Sequence, residues 1–286
     1  MRVVGFTLVS NAIRLDFPIV PAIRSILPLC EEVIVNVGPS EDATLDLVRS
    51  LDDPRVRIIE GAWDRELGGR VLAAETQRAL EAVRGDWAVY IQADEVLHDT
   101  AVPLLDRAMR DALGDPRVEG LLVNYVHFYG NFEWVATNRT WYRREVRVVR
   151  PGAAPRSHEE AQGFRVGPSL RRIAARNTGA LMFHYGWGRP LAALREKRMI
   201  DQVMYHGRSR REIRPPIPDR IPWQVGLRRF TGTHPSAAAD WIAPRRSDLD
   251  FGPREWSPEM LRLGASLMIE RATGWRPFEY RNYVEV

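Results

Sequence analysis

Hydrophobic positions along the first part of the chain fall into two alternating patterns. Short apolar runs rich in β-branched residues occur at Val3–Val9, Glu32–Val37 and Val56–Glu60, and a fourth run has five consecutive apolar residues, Trp87–Ile91. Unbroken runs of this length suit strands covered on both faces, as in parallel sheets. Between them the apolar residues return at helical spacing. Ile19, Val20, Ile23, Ile26 and Leu27 form one face of a helix that starts near Asp16 and ends at Pro28. A second helix is predicted over Ala43–Leu51. A third is predicted over Arg70–Val83, with Leu72, Thr76, Ala79, Leu80 and Val83 on one stripe. Strand and helix thus alternate four times, the pattern of a βαβ architecture.

Beyond this point Thr100–Leu113 reads as a helix broken by Asp115-Pro116, and Gly120–His127 as a strand. Phe128–Val149 is dense in aromatics and arginine, including Tyr129, Phe132, Trp134, Trp141, Tyr142, Arg143 and Arg144. Core packing accounts for any single one of these. Aromatics beside arginine also suit sugar stacking and phosphate pairing, for which Trp141 and Arg143 are the candidates. Leu191–Met204 and Glu259–Thr273 are predicted helices, separated by a proline-rich connector over Arg208–Pro222.

The fourth apolar run ends abruptly in Asp94 and Glu95. In open α/β sheets ligands gather beyond the carboxyl ends of the strands, so these acids stand where a metal or phosphate would bind. The competing reading is a cap for the following helix.

Gln92-Ala93-Asp94-Glu95 resembles the Asp-X-Asp signature of family 2 glycosyltransferases, with Gln92 in place of the first acid. Ser40, Asp42 and Thr44 match part of that family's Ser-X-Asp-X-Thr loop, and the Gly68-Gly69 pair before Arg70 matches its glycine-rich turn. Ser157-His158-Glu159-Glu160 and the segment Gly179–Tyr185 resemble elements of lipopolysaccharide-core-type members. The resemblance runs from about Val3 to Tyr185. It implies an α/β fold of the GT-A type, a Rossmann-like mixed sheet flanked by helices, with a mostly helical C-terminal extension. The expected division is residues 1–116 for the nucleotide sugar, 117–190 for the acceptor and 191–286 for the extension.

The resemblance also implies roles. Asp94 would hold a divalent cation, Mn or Mg, bridging the diphosphate of a nucleotide sugar. Ser10, Asn11, Ser40, Asp42, Gly69, Arg70, Gln92 and Arg143 would line that donor. His184 is either a second metal ligand or a hydrogen-bonded core histidine. The family's base-reading Asp is replaced by Val37 or Gly38, so a UDP-sugar is the first expectation but the base is open. For the catalytic base, the acids between Gly120 and Trp187 are Glu133, Glu145, Glu159 and Glu160. Glu145, among Arg143, Arg144 and Arg147, is expected to have a lowered pKa from ion pairing and a structural role. Glu159, after His158, is preferred and Glu160 is its neighbour and competitor.

Composition narrows the partners. The 286 residues are 45% hydrophobic, enough for a large core. A net charge of +4 and a pI near 9.5 could suggest nucleic acid. However, Lys197 is the only lysine among 41 basic residues, and acids are interspersed with the arginines, so the excess reads as a compositional bias and nucleic acid is discounted. A single cysteine, Cys30, fits a reducing compartment. No stretch is long enough to span a bilayer, and the first residues lack a signal-peptide pattern. A cytoplasmic enzyme is therefore expected, with the apolar tail closing the acceptor side, forming a homodimer contact or touching the inner face of the membrane. The expected function is metal-dependent, inverting transfer of a sugar to a glycan or lipid-linked glycan. The alternatives are a nucleotidyltransferase of similar fold and a non-catalytic module that binds anionic glycans or membranes.

Overall fold

A computed structural model describes residues 1–206, 220–245 and 251–286. Most of the proline-rich connector predicted over Arg208–Pro222 lies outside the described residues. Three of the predicted strands appear with their expected bounds: β1 (Val3–Val9), β2 (Glu32–Val37) and β3 (Val56–Glu60). The helices between them are α1 (Ile19–Ile26) and α2 (Thr44–Arg49), and α3 (Val71–Glu81) leads to β4 (Trp87–Tyr90). Pro18 and Pro21 fall before and within the first turn of α1, where a missing amide hydrogen costs no helical bond.

The acidic run departs from its prediction. The strand stops at Tyr90, and residues 91–94 turn into a second short strand, β5 (Glu95–Leu97). Asp94 therefore occupies a tight turn and Glu95 opens β5, its amide donating to the Gln92 carbonyl at 3.0 Å across that turn. There follow α4 (Ala101–Ala112), β6 (Gly120–Tyr129), β7 (Trp134–Ala136) and β8 (Arg144–Val149). A hairpin of β9 (Pro155–His158) and β10 (Gly163–Val166) leads to the long β11 (Arg171–Trp187). The extension holds α5 (Leu191–His206), β12 (Leu227–Arg229), α6 (Ala239–Ile242), α7 (Pro258–Thr273) and β13 (Tyr283–Glu285).

Among the described residues one mixed sheet takes in every strand, with the order β3-β2-β1-β4-β8-β6-β11-β10-β9 along its main path. The first four are mutually parallel, as βα alternation requires. β8 runs antiparallel to both β4 and β6, which makes the sheet mixed. This is the expected α/β class, a Rossmann-like mixed sheet flanked by helices. Helices α1 and α4 cover one face through Ile19, Ile23, Ile26, Leu105 and Met109. Helix α3 and the β9–β10 hairpin cover the other, where Phe6, Tyr90 and Phe164 pack ring against ring at 5.0 to 6.1 Å. The extension is sewn onto the same sheet, since β12 pairs with β7 and β13 pairs with β11.

One buried ion pair fixes the acidic turn within this frame. The Arg147 guanidinium, on β8, approaches Glu95 Oε1 at 2.8 Å and Oε2 at 3.0 Å, and both side chains are almost wholly buried. Tyr125 donates its hydroxyl to Oε1 at 2.6 Å and the Gln92 amide donates to Oε2 at 3.0 Å. Losing one partner of a satisfied buried pair leaves the other charge uncompensated, which costs about 3–5 kcal/mol. Arg147→Met should lower unfolding free energy by about that amount in urea at neutral pH, and adding Glu95→Gln should recover much of the loss. A single variant as stable as the wild type would remove the pair from its anchoring role.

Candidate functional site

Because β1, β2, β3 and β4 are parallel, their carboxyl ends lie on one edge of the sheet and bring four loops together. The first two are laced to each other. Ser10 donates its hydroxyl to the Pro39 carbonyl at 2.6 Å, and the Asn11 amide donates to Ser40 Oγ at 3.0 Å. Asn11 Oδ1 accepts from the Glu41 amide, Asp42 Oδ2 from the Arg14 amide, and Thr44 Oγ1 from the Ala12 amide, each at 2.7 Å. Ser40, Asp42 and Thr44 thus join two strand ends. Asp42 Oδ1 also accepts from the Thr44 amide at 3.0 Å, within the same loop that leads into α2. Trp63, from the loop after β3, packs on Gly38 so closely that a Cβ there would meet its indole at 2.4 Å. Glycine at this position is what lets the ring lie across the loop.

The fourth loop carries Asp94, and register supplies its neighbours. β11 pairs antiparallel with β5 so that His184 stands opposite Glu95, and parallel with β6 so that His184 stands beside His127. His184 Nε2 comes to 3.7 Å from Asp94 Oδ2. A chain of hydrogen bonds fixes its tautomer. His127 Nε2 lies 2.7 Å from the Tyr142 carbonyl oxygen, which can only accept, so that nitrogen carries the proton. Burial and the neighbouring His184 lower the pKa of His127 well below its ordinary value, so the ring is neutral and its Nδ1 accepts. The partner at 3.1 Å, His184 Nδ1, must then donate. Burial also lowers the pKa of His184, against the pull of Asp94 and Glu95. Its remaining nitrogen therefore presents a lone pair toward Asp94, as metal-ligating histidines do when the other nitrogen donates to a partner.

The Asp94 carboxylate is almost buried, and burial by itself would raise its pKa. The Lys197 ammonium and the Arg189 guanidinium more than offset this and hold the carboxyl well below the usual range. Lys197 Nζ lies 3.2 Å from Asp94 Oδ2 and 5.5 Å from the centre of the Phe17 ring. Arg189 donates to the Gly186 and Leu15 carbonyls and stacks on the same ring at 4.5 Å. Gly186 keeps the space open. A Cβ there would stand 2.5 Å from His184 Nε2 and 2.9 Å from Asp94 Oδ2, filling the gap between them.

These residues fit a shared cation. The separation of 3.7 Å is less than twice a typical donor–metal distance of about 2.0–2.2 Å, so one ion can touch both atoms. Among the described residues no group of three or more His, Cys, Asp or Glu side chains is arranged to hold a metal. Two protein donors leave the other positions to water or substrate oxygens, as in a cation carried with phosphate.

Other expected residues lie elsewhere around this centre. Gln92 donates to the Ala161 carbonyl at 3.2 Å and lies 3.5 Å from Arg147, tying the tip of the β9–β10 hairpin to the acidic turn. Glu159 and Glu160 are exposed on that tip. Glu159 adopts a left-handed backbone with φ of 50° and lies 3.4 Å from His158 Nε2. A cleft of about 780 Å³ between α3 and the segment 151–159 is lined by Arg70, Gln77, His158 and Glu159, but not by Asp94 or His184. The left-handed glycine before α3 is Gly68, at φ of 56°, with Gly69 following it. Arg143 is bound to the tail, bidentate on Glu279 at 2.7 and 2.9 Å with Glu270 at 3.3 Å, so its charge is matched within the protein. Trp141 donates to Gln224 at 3.0 Å and packs 5.2 Å from His127, which places an aromatic wall beside the histidine pair.

Glu145 corrects its expectation. Arg147 turns its guanidinium to Glu95, leaving Glu145 buried without a salt bridge among the described residues, and burial raises its pKa to about 7, against the pull of Arg147. Its protonated form is therefore favoured by folding.

No family model matches the chain, and no curated protein matches it. Among solved structures it is similar to S. aureus TarS 1-349 in complex with UDP, at 17% identity and a TM-score of 0.36, covering 46% of this chain and 37% of that one. It is similar to glucosyl-3-phosphoglycerate synthase from Mycobacterium tuberculosis in complex with Mn2+, UDP-Glc and glycerol 3-phosphate, at 23% identity and a TM-score of 0.31, covering 44% of each chain. A third is mannosyl-3-phosphoglycerate synthase from Rubrobacter xylanophilus, at 19% identity and a TM-score of 0.30, covering 46% of this chain and 42% of that one. The chain thus spans less than half the length of each of these proteins.

The raised pKa of Glu145 sets a pH dependence. A carboxyl with a folded pKa near 7 and an unfolded value near 4.3 contributes its full stability below about pH 4.3, and loses it as pH rises toward 7. Glu145→Gln should abolish that slope and leave the protein more stable than the wild type above pH 7, by up to roughly 4 kcal/mol. Denaturant unfolding between pH 5 and 8 measures it. Parallel curves for the two proteins would show that Glu145 ionises normally.

Proposed function

We propose that the chain is a glycosyltransferase that takes a nucleotide-diphosphate sugar, UDP-linked in the first instance, and moves the sugar to a glycan or lipid-linked glycan with inversion. The observation that carries this reading is the facing pair of Asp94 Oδ2 and His184 Nε2 across the gap kept by Gly186. The pair stands at the strand ends where the laced loops of Ser10, Asn11, Ser40 and Asp42 form the adjoining rim. A divalent cation held there would neutralise charge on the departing diphosphate. The chain's own residues do the remainder. Asp94 and His184 would hold that cation, and Arg189 and Lys197 add positive potential beside it.

Inversion requires a base on the acceptor side of the sugar. We assign it to Glu159, with Glu160 as the alternative. What supports this is the bond from Gln92 to Ala161, which attaches the hairpin tip to the turn that carries Asp94. Trp141 forms part of the acceptor wall. No helix among the described residues is long and apolar enough to cross a membrane. The tail nevertheless exposes Trp256, Leu261, Met268, Trp275 and Phe278, apolar surface that supports a lipid-linked acceptor met at the cytoplasmic face of a membrane, or a homodimer contact.

Calorimetry with uridine, guanosine, cytidine and thymidine diphosphates in Mn2+ should show one preferred nucleotide, and Asp94→Asn should abolish the Mn2+-dependent part of its affinity. Equal metal-independent binding of all four, or none, would overturn the reading in favour of a simple binding module. Glu159→Gln should keep nucleotide and metal affinity and cut turnover by at least about 10²-fold. If the double variant with Glu160→Gln transfers sugar at the wild-type rate, the base lies elsewhere.

A further inference from the structure

Asp94 is matched by a cation that belongs to the protein. Lys197 sits on α5, a helix of the extension, and reaches Asp94 Oδ2 at 3.2 Å, the same oxygen that faces His184. The helix is strapped over the strand-end loops at this point, because the preceding residue, Glu196, pairs with Arg14 of the loop after β1. Residue type adds an independent observation. At every other basic position the chain uses arginine, yet here it keeps its one lysine. Guanidinium is a planar fork that locks onto a carboxylate, whereas ammonium is a compact point charge on a flexible stem. The first suits a permanent pair, as at Arg147 and Glu95. The second suits a charge that must leave.

We propose that Lys197 is the resident counter-cation of Asp94, that a divalent cation must displace it to bind, and that the displaced ammonium then pairs with the donor diphosphate. This rests on the metal–diphosphate reading of the site. The ammonium and a metal ion compete for one oxygen, so Lys197 penalises metal binding without nucleotide. Once diphosphate is present it gains new acceptors, and the penalty becomes an attraction. Metal and nucleotide would consequently bind cooperatively, by linkage through a single side chain.

Electron paramagnetic resonance of free Mn2+ tests the first step on the full chain without nucleotide. Lys197→Met should bind Mn2+ at least about tenfold more tightly than the wild type, and Mn2+ should raise its melting temperature more. Lys197→Arg, which keeps the charge and whose fork locks onto the carboxylate, should bind Mn2+ no more tightly than the wild type. Equal or weaker Mn2+ binding in Lys197→Met overturns the competition, as does equal tightening in both variants. Calorimetry with UDP at saturating Mn2+ tests the second step, where Lys197→Met should bind at least about fivefold more weakly. Unchanged UDP affinity overturns the hand-over. If the wild type binds no nucleoside diphosphate with Mn2+, the proposed function fails and the hand-over with it, while Mn2+ alone still decides the competition.

Discussion

Two adjacent carboxylates buried at the end of one strand each require a positive charge, and much of the arrangement around β4 follows from how each obtains it. Glu95 obtains Arg147, a neighbour across the sheet that is itself buried and further held by the Gln162 carbonyl at 2.7 Å. That pair sets the turn and cannot be given up without a large loss of stability. Asp94 obtains Lys197 from a distant part of the sequence, with Arg189 nearby, while neutral His184 faces it without supplying charge. One acid thereby becomes structure and its neighbour remains available for chemistry. The alternation of side-chain direction in a strand does not separate them, because Asp94 lies in the turn and only Glu95 belongs to β5.

The parallel strands and the first helices were legible because each obeys one local rule. Val3–Val9 and Glu32–Val37 are apolar runs of strand length, and Pro18 and Pro28 bracket α1. The strand-end chemistry of Ser40, Asp42 and Thr44 was legible as a pattern, but its partners were not, since Asn11 and Ala12 meet it only through the pairing of β1 with β2. The same holds for His184. Its apolar strand could be read, whereas the Tyr142–His127–His184 chain that sets its tautomer depends on the register of β11 against β6. His127 and Arg189 carried no signal in the sequence. Lys197 did, as the lone exception to an arginine bias, although composition alone gave it no place in space.

Glu145 shows why neighbouring charges in sequence mislead. Arg143, Arg144 and Arg147 surround it along the chain, and ion pairing would have lowered its pKa. In the sheet each arginine finds a different acid: Glu279, Glu285 and Glu95. The acid left over, Glu145, is itself only 2% exposed. Its carboxyl accepts from the Val146 amide at 3.0 Å and from Gln162 at 3.4 Å, partners that satisfy it in part without supplying charge.

The glutamine at position 92 has a consistent electrostatic explanation. An aspartate there would place a third carboxylate in a buried turn where one guanidinium already serves Glu95. It would also lose the donor that Gln92 gives to the Ala161 carbonyl, the bond that attaches the hairpin tip to the turn. Lysine at 197 cannot compensate, because its ammonium lies on Asp94. An amide is neutral and carries both a donor and an acceptor, so it can face Ala161 on one side and Arg147 on the other without altering the charge balance. Replacing the first acid of an Asp-X-Asp pattern therefore need not remove metal chemistry. Under the proposed function the metal's charge would fall to Asp94 alone, while Gln92 holds the hairpin that carries Glu159 and Glu160.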